Sequence, residues 1–195
     1  MAVEDLAIEA PADIKHGDVT VSDGVRIHYQ EAGAGVPVVL LHGYISCCDA
    51  SWFADGMAKA LATTHRVIGI DARGHGRSEK PHDPAKYPGD AMPADVIAVL
   101  DHLGVQKAHF HGYSMGGGIV AHLMARRPER FISASFGGSG VREEDEALAK
   151  QAADLDPQGH DPQQAEGQRA LRERADRDDV ALECVQKGRQ AKPST

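Results

Sequence analysis

Three short apolar runs, each ending in glycine and each followed by a stretch with helical period, limit the folds open to this chain. They are VPVVLLHG (residues 36–43), HRVIGIDARGHG (65–76) and KAHFHGYS (107–114). A run that is apolar at every position suits a strand buried on both faces, as in a parallel sheet covered by helices. The intervening SWFADGMAKALATT (51–64) and AMPADVIAVLDHLG (91–104) read as helices, the second beginning near Pro93 and stopping at Gly104. GGGIVAHLMARRPERF reads as a third helix with Ile119, Val120, Leu123 and Met124 on one side, ending before Pro128. Strands alternating with helices predict an α/β fold with right-handed crossovers.

Both flanks of this region differ from it. DVTVSDGVRIHYQEAG (18–33) alternates around Asp23-Gly24, the signature of an antiparallel hairpin. FISASFGG (131–138) reads as a final strand. Every Phe, Tyr and Trp lies before about Gly140, and residues 141–195 are dominated by charge, Ala and Gln. The division expected is therefore a core over 1–140 and a polar helical segment over 141–195, anchored by Leu148 and Leu155 or by Leu171 and Val185.

Charge and composition exclude several classes of function. The formal net charge is −8, and the basic residues are scattered, so nothing resembles an electrostatic footprint for nucleic acid or a membrane surface. No apolar run approaches the roughly 20 residues of a membrane helix. The three cysteines, Cys47, Cys48 and Cys184, have no metal-ligand spacing and suit reduced thiols in a cytoplasmic protein. No G-x-G-x-x-G follows a strand, and no P-loop is present. The expectation is a small-molecule substrate, with no cofactor and no metal.

Gly112-Tyr113-Ser114-Met115-Gly116 matches G-x-S-x-G between an apolar strand and a helix. So sharp a turn needs glycine two residues to either side of the serine, and it leaves the hydroxyl exposed above the sheet. Gly117 and Gly118 are expected to let the helix pack close to the sheet. Leu41-His42-Gly43-Tyr44 closes the first buried strand, and Asp71-Ala72-Arg73-Gly74-His75-Gly76-Arg77-Ser78 follows the second. Together, over about residues 18–140, these segments resemble the α/β-hydrolase superfamily, in its branch of esterases, lactonases, carbon–carbon bond hydrolases and cofactor-free perhydrolases. The resemblance implies a mostly parallel sheet with helices on both faces and a helical cap-like tail. It also implies that Ser114 is the nucleophile, with the backbone N–H groups of Tyr44 and Met115 as an oxyanion hole. His42, Arg73 and His75 are read as loop anchors, and Tyr44, Trp52, Tyr113 and Met115 suggest an apolar wall beside the serine, with Trp52 equally open to a reading as ordinary helix packing.

The resembled chemistry also needs an acid and a histidine after the serine, and here the chain departs from the pattern. Only His122 and His160 follow Ser114. His122 stands about 12 Å along the helix from the serine, out of reach. His160, among Asp154, Asp156 and Asp161, lies in the polar tail and is expected far from Ser114; Glu143 and Glu144 come too late after the last strand. The chain is thus expected to lack the final strands of the fold, leaving 131–136 as an exposed edge without charge, proline or bulge and open to self-association. The function expected is hydrolysis of an ester, thioester or lactone through a Ser114 acyl-enzyme, incomplete or inactive in this chain. The alternative is a noncatalytic ligand-binding or partner protein on the same fold.

Overall fold

A computed structural model describes residues 13–54, 56–138 and 178–190. Six strands form one sheet: β1 (Lys15–Thr20), β2 (Arg26–Ala32), β3 (Val36–Leu41), β4 (His65–Ile70), β5 (Ala108–Tyr113) and β6 (Phe131–Gly137). Their order across the sheet is β1-β2-β4-β3-β5-β6. The hairpin β1–β2 is antiparallel, closed by Gly24 at φ 88°, and β2 joins β4 antiparallel. The pairings β4–β3, β3–β5 and β5–β6 are all parallel. The order changes direction at β3, whose neighbours β4 and β5 lead away on opposite sides, so the β3 and β5 C-terminal loops lie side by side. Such a switch point is where a crevice opens in an α/β sheet.

Helices cover both faces, as the apolar runs require. On one face α1 (Met57–Ala62) and a π-helical turn over Asp49–Phe53 pack on Ala32, Val38, Leu40 and Val67. On the other, α2 (Ala91–His102) and α3 (Met115–Arg126) pack on Val39, Leu41, Ile68, Ile70 and Phe110. The helix expected over 51–64 is divided in two, because Gly56 takes φ 87° and restarts the chain at α1. Met124 does not join Ile119, Val120 and Leu123 in the core. It is 43 % exposed, since the buried stripe of α3 is narrower than the apolar stripe of its sequence.

Helix α4 (Asp179–Gln190) docks on the main core through Cys184 and Val185, with Ala181 and Leu182 buried beside them. The anchor expected at Val185 is in place; Leu148, Leu155 and Leu171 lie outside the described residues. At the opposite edge β6 carries Ile132 and Phe136 exposed at 48 % and 42 %. One expectation about this edge fails. Ala108 pairs with Phe131 but His109 pairs with Ser133, so Ile132 is the extra residue of a β-bulge. At the same end of the strand Phe131 stacks on Phe110, with ring centroids 4.2 Å apart.

Candidate functional site

Ser114 stands between the end of β5 and the start of α3 at φ 49° and ψ −109°, the one non-glycine residue with positive φ among those described. The flanking glycines explain how the chain tolerates this. A Cβ on Gly112 would fall 2.3 Å from the Gly116 carbonyl oxygen, and one on Gly116 would fall 2.3 Å from that of Leu41. Backbone fills both places, so neither neighbour can yield. The turn is further held by Ser114 N–H donating to Gly137 O at 2.7 Å and Gly116 N–H donating to His42 O at 3.1 Å. Gly117 is buried against the sheet as expected, whereas Gly118 faces solvent and assists no close approach.

The loop after β3 lies directly against this turn. A Cβ on Gly43 would stand 3.7 Å from Ser114 Cβ and 3.2 Å from the Tyr113 ring. Met115 is buried and occupies the first helical position of α3, whose N–H has no intrahelical acceptor. The structure thus brings Gly43, Ser114 and Met115 together at the C-terminal end of the sheet, with Tyr44 next in the chain. The loop is rigidly supported. His42 Nδ1 donates to Gly43 O at 2.8 Å, and its Nε2 accepts from Ala72 N–H at 3.1 Å, which makes His42 a neutral anchor with both nitrogens engaged. Burial lowers its pKa, and burial together with the neighbouring His42 brings His75 down to about 3.

Asp71 and Arg73 complete the support. Asp71 Oδ1 accepts from Cys48 N–H at 2.8 Å, and Oδ2 accepts from Arg77 N–H at 2.9 Å. Arg73 donates two hydrogen bonds to Asp95, at 2.7 and 2.6 Å, and a third to Asp23 at 2.8 Å. These residues tie loops together, as their sequence context predicts.

Trp52 and His122 fall away from the serine, whereas the Tyr113 ring stays beside Gly43. Trp52 is buried in the α1 layer, edge-on to His111, and is helix packing instead of a pocket wall. Tyr113 is half exposed and lies over Gly137 and Gly138. His122 lines a groove between α2 and α3 with Asp90, Ile97 and Arg126. His160, Asp154, Asp156, Asp161, Glu143 and Glu144 lie outside the described residues. Among the described residues no side chain hydrogen-bonds the Ser114 hydroxyl, and no group of His, Cys, Asp or Glu is arranged to hold a metal. Cys47 and Cys48 are buried free thiols, Cys47 pushed up to about 11 by burial. No described helix is long and apolar enough to cross a membrane. One contact had no signal in the sequence: the Tyr44 hydroxyl donates to Leu182 O at 2.6 Å, across 138 positions.

Known proteins resemble this chain in sequence and in fold. A rat (Rattus norvegicus) protein named bifunctional epoxide hydrolase 2 is 34 % identical over 123 residues, which are 62 % of this chain and 22 % of the rat protein. The bifunctional esterase/perhydrolase DCH of Acinetobacter calcoaceticus is 41 % identical over 113 residues, 57 % of this chain and 40 % of that protein. A solved N-acyl homoserine lactone degrading enzyme superposes with a TM-score of 0.56 at 40 % identity, covering 62 % of this chain and 44 % of its own. The chain spans less than half the length of each of these relatives. A family profile described as alpha/beta hydrolase fold matches residues 36–171. With that match over most of its length, and with strand order and serine turn as described, the chain belongs to the α/β-hydrolase fold family.

Proposed function

We propose that this chain carries the nucleophile and oxyanion elements of a serine hydrolase acting on esters, thioesters or lactones. The observation that carries the reading is the backbone of Ser114, φ 49° and ψ −109° at a strand-to-helix turn. Strain of this kind is kept where it aims a side chain. Attack of the Ser114 oxygen on an acyl carbon forms a C–O bond and places negative charge on the carbonyl oxygen. The Met115 N–H at the head of α3, with the N–H of Tyr44 beside it, is the stabilising element for that charge. On collapse the departing alcohol, thiol or ring oxygen takes the proton that the Ser114 hydroxyl gave up, and water then hydrolyses the acyl-serine ester; no described residue stands to relay that proton, so turnover in this chain is expected to be slow or absent.

The identity of the nucleophile selects among the activities of the relatives. A hydroxyl that opens an epoxide becomes an ether, which water does not readily cleave; a hydroxyl that takes an acyl group becomes an ester, which water does. Ser114 therefore favours the chemistry of the esterase/perhydrolase and lactone-degrading relatives, and the likeness to epoxide hydrolases is read as one of scaffold. The test is an aryl fluorophosphonate, which forms a Ser–O–P bond and releases fluoride. Mass spectrometry is expected to find one adduct, on the peptide holding Ser114, absent in Ser114→Ala. An unlabelled chain, or an adduct that survives Ser114→Ala, sinks the reading and favours a noncatalytic binding protein.

A further inference from the structure

Helix α4 does more than cover core. Its carbonyl at Leu182 accepts the Tyr44 hydroxyl at 2.6 Å, and Tyr44 belongs to the turn that abuts Ser114. The turn has other ties as well: Gly116 N–H donates to His42 O, His42 to Gly43 O, Ala72 N–H to His42 and Ser46 N–H to Gly43 O, and the Tyr44 ring lies edge-on to His75 with centroids 5.7 Å apart. The Tyr44 hydroxyl extends beyond these to α4, so the turn is also fixed to a segment remote in sequence.

The seat of α4 is shaped to hold it in one position. Val185 presses on Gly74, where an added Cβ would be 2.8 Å from Cγ2. Gly188 sits so close to the 84–87 segment that a Cβ there would be 2.5 Å from Pro84 O. Asp178 caps the helix by accepting from Ala181 N–H at 3.0 Å, and its other oxygen pairs with His82 at 2.9 Å. These contacts fix the axial position of the helix. A shift of α4 along its axis must either break the Tyr44–Leu182 bond or drag the turn with it.

From this we infer that Tyr44 is a positioning residue: through its hydroxyl, the docking of α4 sets the placement of the turn beside Ser114. The inference rests on the reading of Ser114 as nucleophile for its catalytic meaning, but the mechanical coupling stands on the contacts alone. Tyr44→Phe tests it, because the ring and the backbone N–H remain while the bond to Leu182 is lost. Gly188→Leu is the complementary variant, unseating α4 from Pro84 and Tyr87 without touching the turn.

The experiment is amide hydrogen exchange on the full chain, followed by mass spectrometry of peptides covering 42–47, 108–120 and 178–190. Loss of one net hydrogen bond predicts about fivefold faster exchange at 42–47 in Tyr44→Phe, with 108–120 unchanged. Gly188→Leu is expected to quicken both 178–190 and 42–47. Unchanged exchange at 42–47 in Tyr44→Phe overturns the inference. The fluorophosphonate rate at Ser114 is the second readout, expected to fall by a similar factor in Tyr44→Phe. If the unsubstituted chain takes no label, the reading of Ser114 fails while the exchange result still decides the coupling.

Discussion

Ser114 is held at a backbone conformation that costs a non-glycine residue about 1–3 kcal/mol, and the glycines at 112 and 116 make it reachable. Ser114→Gly is therefore expected to stabilise the chain by about 1 kcal/mol in urea unfolding while abolishing phosphonate labelling. A change in the opposite sense would show that the turn is not strained. Gly112→Ala brings a methyl into the Gly116 carbonyl and is expected to cost roughly 3 kcal/mol, read as a lowered urea midpoint. The buried His75 gives a pH signature. Its folded pKa, about 3, lies below the ordinary histidine value near 6.5, so between those values the unfolded chain binds the proton that the folded chain refuses. Stability from this group is complete above about pH 6.5 and declines as pH falls toward 3, by on the order of 1 kcal/mol per unit. Urea midpoints from pH 7 to pH 5 are expected to drop, and His75→Gln to flatten that drop.

At the scale of elements, β6 is exposed or half-exposed along its whole length. FISASF alternates Ser133 and Ser135 toward one face, where they hydrogen-bond His109 and His111 at 2.7 and 2.8 Å. Among the described residues no strand pairs with its outer edge. The bulge at Ile132 interrupts the ladder near the start of the strand, which leaves Ser133 to Gly137 as the regular part. We propose that this part is where two copies pair. Phe136→Lys puts a charge on that edge and is expected to lower the apparent mass in light scattering as concentration rises; equal self-association in both proteins would remove β6 from the account. Helix α4 shows the converse. Its segment is polar in composition, yet Ala181, Cys184, Val185 and Gly188 repeat at helical spacing and bury one narrow stripe.

Over the whole molecule, the buried Arg73 joins elements far apart in the chain. It binds Asp95 in α2 with two hydrogen bonds, Asp23 in the hairpin turn, and the Lys86 carbonyl in the loop below α4. Removing one member leaves a buried charge without its partner, the costly direction for such a pair. Asp95→Ala is expected to destabilise the chain by about 3–5 kcal/mol, measured by urea unfolding at neutral pH. A loss under 1 kcal/mol would mean that water takes the place of the carboxylate.

The sequence by itself determined the alternation of strands and helices, the hairpin at Asp23-Gly24 and the position of Ser114 at a strand-to-helix turn. These follow from periodicity and from backbone freedom, which neighbouring residues specify. The anchoring of loops by His42, Arg73 and His75 was legible for the same reason, since their context is a glycine-rich connection after a buried strand. Only the tertiary structure decided that Met124 faces solvent, that Trp52 packs under α1 and that Ile132 forms a bulge. It alone decided that Tyr44 reaches Leu182. Each of these depends on which surface another element presents at that place, and no local pattern carries the distance between residues more than a hundred positions apart.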